Sequence, residues 1–149
     1  MSGSIVELVR TQCALYEELL ALGAKQRELV HAGDGAGVME VVTRRGAIIE
    51  RLAALQGEAD ARGGIDACVA RESRGMPGIA AEVARHRARV AEIGARLARD
   101  DAEDIESLRE ASGEVAAELD RVGSGRRAVG AYSGAGSGAG MARFQDRRA

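Results

Sequence analysis

The sequence predicts an all-α protein: an antiparallel three-helix coiled-coil bundle with a long third helix and a disordered C-terminal tail. Three observations carry that prediction. Ala, Leu, Val, Glu and Arg dominate a chain of 149 residues that holds two tyrosines, one phenylalanine and no tryptophan, a composition suited to helices packed by small and aliphatic side chains. Pro77 is the single proline, and no run alternates Val, Ile, Thr and Tyr as a strand would. Apolar residues instead recur at spacings of three and four over three long stretches. The length suits one helical domain, residues 1–122, with an appended tail, residues 123–149.

The first helix is expected over residues 4–31. Ser4 followed by Glu7 is a capping-box pattern, in which hydroxyl and carboxylate satisfy backbone donors at a helix start. Ile5, Leu8, Leu15, Leu19, Leu22 and Leu29 form a seam, with Gln12 and Gln26 at its two missing positions. Val9, Cys13, Tyr16, Leu20 and Val30 lie beside it and widen the apolar face, so this helix wants two neighbours. The segment HAGDGAG supplies a glycine cap near His31 and, in Asp34, an N-cap for the second helix.

The second helix is expected over residues 35–62, with Val38, Val41, Ile48, Leu52 and Leu55 on one stripe and Val42 and Ile49 on its flank. The short connection makes the pair an antiparallel hairpin. Residues 63–78, GGIDACVARESRGMPG, interrupt the pattern and are expected to hold at most a short helical turn.

The third helix is expected over residues 77–122, with Pro77 in its first turn. Its stripe runs through Ile79, Val83, His86, Val90, Ile93 and Leu97, then Ile105, Leu108, Val115, Leu119 and Val122. From Leu97 to Ile105 the spacing is four plus four through Asp101, a stutter that locally unwinds a left-handed supercoil. The run RDDAEDIE surrounds it and marks the place where this helix outruns its partners. At 1.5 Å per residue it would be roughly 65–70 Å long against about 40 Å for the others. Val115, Leu119 and Val122 would then each forgo roughly 1.5–3 kcal/mol of burial and wait for another surface.

After Val122, GSG is expected to end the helix and open a glycine-rich segment too costly to order, at about 1–2 kcal/mol per residue. Two of the three aromatics, Tyr132 and Phe144, sit in it and, with Val129 and Met141, are candidate partner anchors. Charge is uneven: residues 123–149 carry five arginines against Asp146, whereas residues 1–122 carry 16 basic and 22 acidic side chains.

No catalytic constellation emerges. His31 and His86 lack partners at metal-ligand spacing, so neither metal nor other cofactor is expected. Cys13 and Cys68 read as reduced intracellular thiols without a neighbouring base. GDGAG and GAGSGAG follow no strand, and Lys25, the only lysine, lies elsewhere, so the phosphate-loop motif is missing. Asp100 and Asp101 read as a solvated face rather than an acid–base pair. The spread arginines beside an acidic body make a weak footprint for nucleic acid. Neither a signal segment nor a membrane span is visible, and the reading is a cytoplasmic, non-enzymatic protein that acts on no small-molecule substrate.

Residues 15–55, LYEELLALGAKQRELVHAGDGAGVMEVVTRRGAIIERLAAL, resemble the FlgN family of flagellar export chaperones. The likeness rests on Leu19, Leu22, Gln26 and Leu29, then Gly33-Asp34, then Arg44, Arg45, Ile48, Ile49 and Leu52, and extends more loosely over residues 4–122. The chain departs from that pattern in being rich in arginine, poor in lysine and long in its Gly/Ala tail. The resemblance implies a chaperone that keeps hook-associated proteins soluble by engaging their apolar terminal helix and passes them to the flagellar type III export gate. It implies that role for residues from Leu108 onward, which adds Leu108 to Val115, Leu119, Val122, Val129, Tyr132 and Phe144 as partner-binding candidates. A self-associating coiled coil, with the free chain a monomer or a homodimer, is the competing expectation.

Overall fold

Ser4 opens the first helix in the manner its spacing predicts. Its hydroxyl accepts the backbone N–H of Glu7, and the Glu7 carboxylate accepts the backbone N–H of Ser4. The structure, a computed structural model, describes the backbone of residues 3–145 and the side chains of residues 3–127. Helix α1 spans Ile5–Ala32 and ends at Gly33, whose φ of 70° only glycine adopts without strain. Asp34 caps helix α2, Gly35–Ala61, by accepting the Gly37 N–H at 2.9 Å.

The next segment corrects the expectation of three helices. Gly63 and Gly64, at φ 95° and 96°, turn the chain into a fourth helix, α3, Ile65–Glu72, followed by a 3-10 turn at Ser73–Gly75. Glycine here positions a helix instead of preventing one. Cys68 faces inward and is buried, flanked by Ile65 and Val69, so the short helix closes the end of the core. Helix α4 then runs Gly78–Gln145. The helix end expected at Val122 is not found, because Gly123 and Gly125 do not take the left-handed φ of a cap and the helical backbone passes through them. Among the described residues there is no strand.

Contacts divide the chain into two units with their boundary between Ala102 and Glu103. In the first unit the core gathers Ile5, Leu8 and Val9 of α1, Leu55 and Ala59 of α2, Cys68 of α3 and Val83 of α4. Ile93 is buried further along α4. Polar pairs give the direction of the helices. Arg10 pairs with Glu82, Glu17 with Arg89 at 2.6 Å and Arg27 with Asp100 at 3.5 Å, so α4 runs parallel to α1. Glu18 in the middle of α1 meets Arg44 at 2.8 Å, while Arg62 at the far end of α2 donates to the Gly3 carbonyl at 3.0 Å, so α2 runs antiparallel to α1.

Of the acids before the boundary, Asp101 is exposed as expected, whereas Asp100 is only partly so, and both form ion pairs. Asp100 and Asp101 reach back to Arg27 of α1 and Arg45 of α2, the latter at 3.6 Å. Arg45 also donates to Gln26 at 2.7 Å, so one guanidinium joins three helices at the upper end of the unit. The stutter through Asp101 is thus where the apolar seam gives way to ion pairs.

Candidate functional site

The second unit begins at Glu103, and its described side chains, residues 103–127, lie on one stretch of α4. Ala, Glu, Leu and Arg favour helix here, and Arg121 meets Glu118 at 3.0 Å one turn apart, a pairing that supports helix locally. Gly113 works in the opposite direction, weakening the helix by up to about 1 kcal/mol.

Ile105, Leu108, Val115, Leu119 and Val122 are all exposed, Leu119 to 66% and Leu108 to 62%. Together with Ser112 they follow the alternating three-and-four spacing of a coiled-coil seam. On the same helix, Val83 and Ile93 are at most 2% exposed. The contrast is one of surroundings, since all are aliphatic side chains in regular helix.

The seam is not flat. Leu108, Ala111, Ser112, Val115, Ala116 and Leu119 line an open groove in which small side chains sit between larger ones. The spacing of large side chains picked out Val115, Leu119 and Val122, the resemblance added Leu108, and both passed over Ala111, Ser112 and Ala116. Their signal was present in the i, i+3, i+4, i+7 spacing, but small residues do not register in a hydrophobic stripe. Val129, Tyr132, Met141 and Phe144 have side chains outside the described residues, so the structure does not place these four anchors.

Around the seam, residues 103–122 carry seven acids against Arg109 and Arg121. The field over residues 103–122 is therefore negative, while the unit as a whole, residues 103–149, carries eight acids against seven arginines.

Two other surfaces expose or border apolar side chains. On α2, Met39, Val42 and Ile49 are exposed, and Ile49 and Leu52 line a shallow groove with Gln12, Tyr16 and Leu19 of α1. Between α1 and α4, a small recess over Leu20 and Ile93 is rimmed by Arg89, Arg96 and Arg99. Hydrogen bonds to Glu17 and then Glu92 raise the Arg89 pKa further. Neither surface combines length, regular spacing and a predominance of one sign of charge as the distal seam does.

Among the described residues no group of three or more His, Cys, Asp or Glu could hold a metal ion, and no helix is long and apolar enough to cross a membrane. His86 lies 3.9 Å from Glu82 on the flank of the first unit, and His31 is exposed in the last turn of α1. Comparison with protein-family models, with curated proteins and with solved structures finds no match for this chain.

Proposed function

We propose that this chain is a non-enzymatic cytoplasmic chaperone that covers the apolar terminal helix of a flagellar hook-associated protein and delivers it to the type III export gate. The observation that carries the reading is the exposed seam from Leu108 to Val122. An amphipathic helix laid along such a seam buries apolar surface on both sides, the helix-in-groove mode of recognition. Each seam side chain would contribute up to roughly 1.5–3 kcal/mol on full burial. The resemblance of residues 15–55 to FlgN-type chaperones supplies the identity of the client.

The test is complex formation between the full-length chain and a purified hook-associated protein, followed by light scattering coupled to size exclusion. A one-to-one complex is expected, lost on Val115→Asp/Leu119→Asp and on deletion of residues 108–149, with the helical circular dichroism of residues 1–102 retained. Undiminished affinity in both variants overturns the reading.

The coiled-coil spacing of Ile105, Leu108, Ser112, Val115, Leu119 and Val122 also favours a second reading, a self-associating structural or adaptor protein. Sedimentation separates the two. A stable homodimer that dissociates in the Val115→Asp/Leu119→Asp variant would replace the chaperone reading.

A further inference from the structure

The seam of the second unit specifies what should lie on it. Leu108, Ala111, Ser112 and Val115 stand at i, i+3, i+4 and i+7, which is the four-residue hole that receives one knob of a packed helix. Ser112, Val115, Ala116 and Leu119 repeat the arrangement one step along. The small side chains of Ala111 and Ser112 leave the first hole open, and Ser112 and Ala116 do the same for the second, so each has room for a bulky side chain. A partner helix reaches both with two large apolar residues three or four positions apart.

Charge selects among such helices. Glu103, Glu106, Glu110, Glu114, Glu118 and Asp120 share residues 103–122 with two arginines, and one of those arginines is already paired with Glu118. A second copy laid so that its residues 103–122 face these would set acids against acids, and like-charged surfaces repel. A helix with lysine or arginine along its flanks is drawn in and oriented.

We infer that the distal segment of α4 is a docking site for a cationic amphipathic helix, whose two bulky apolar residues seat in the holes centred on Ala111–Ser112 and Val115–Ala116. The inference rests on the chaperone reading for the location of the site and adds the chemistry of its occupant.

The experiment titrates the full-length chain into two fluorescent synthetic helices of about three heptads each. Both carry leucine at the seam positions, and they differ only in lysine or glutamate at the flanks. The lysine helix is expected to bind at least roughly tenfold more tightly at about 50 mM salt, with the advantage largely lost at about 500 mM. Ser112→Leu/Ala116→Leu, which fills both holes on an exposed face, should weaken the lysine helix by roughly tenfold while leaving the helical content unchanged. Equal binding of the two helices, no binding of either, or full affinity in the filled-hole variant overturns the inference. These outcomes are distinguishable from failure of the proposed function. A hook-associated protein that binds through Val115 and Leu119 with no effect of flank charge would leave the chaperone reading standing alone.

Discussion

Glu72 Oε2 accepts the backbone N–H of Ile5 at 2.9 Å, joining the last residue of α3 to the first residue of α1 across 67 positions of sequence. Arg62 approaches the same carboxylate at 3.4 Å and donates to the Gly3 carbonyl, so one acid gathers the start of α1, the end of α2 and the end of α3. Anions are favoured at helix N-termini, where backbone donors lack intrahelical partners.

Replacing Glu72 with alanine should therefore cost about 1–3 kcal/mol, because a partly buried backbone donor and a guanidinium lose their acceptor together. Ser4→Ala, which removes a local cap alone, should cost about 0.5–2 kcal/mol. Urea unfolding of the full chain measures both, and an effect of Glu72→Ala smaller than that of Ser4→Ala would contradict the clasp.

Ile93 and Leu119 provide a second test within one helix. Ile93→Ala should destabilise the first unit by about 2–5 kcal/mol through the cavity it leaves. Leu119→Ala, on an exposed position, should stay within about 0.5 kcal/mol of the parent. Thermal unfolding distinguishes them, and a large loss for Leu119→Ala would mean that the seam is already covered in the free protein.

Acid should release the Arg10–Glu82 pair. The hydrogen bond from Arg10 holds the Glu82 carboxyl below its usual value of 4.5. Because the folded pKa lies below the unfolded one, the stabilisation is present at neutral pH and is lost as pH falls below 4.5 through the folded value. Glu82→Gln lacks that dependence. The stability gap between parent and variant, followed by unfolding midpoints across this range, should close on acidification.

Both thiols should resist modification. Cys13 and Cys68 are free and buried, and burial, followed by the charge of Glu17, raises the Cys13 pKa. Since the thiolate is the reactive form, an aromatic disulfide reagent should titrate neither thiol in the native chain and both in denaturant. Rapid reaction of Cys13 in native buffer would show that the α1–α4 contact opens readily.

Much of the first unit was legible in the sequence because its signals are local. Ser4 with Glu7, Gly33 and Asp34 set helix ends that the structure places within a residue or so of expectation, and Ile5, Leu8, Val9 and Cys13 are buried where the seam spacing put them. Helix α3 was missed because Gly63 and Gly64 look like breakers in a one-dimensional reading. What makes the helix worthwhile is distant: Cys68 filling the core and Glu72 capping Ile5. The roles of Asp100 and Asp101 were hidden for a similar reason, since nothing in RDDAEDIE announces Arg27 and Arg45 on other helices. In the second unit the large seam residues could be read directly. The holes between them could not, because an alanine acquires that meaning only from the neighbours three and four positions away.

The apolar cluster of the first unit is drawn from residues between Ile5 and Val83, and none of its members lies in the stretch that carries the seam. Cohesion and recognition are thus written in separate passages of the chain. Evolution, or a protein engineer, can retarget the distal passage by rewriting Ala111, Ser112 and Ala116 without renegotiating the foundation.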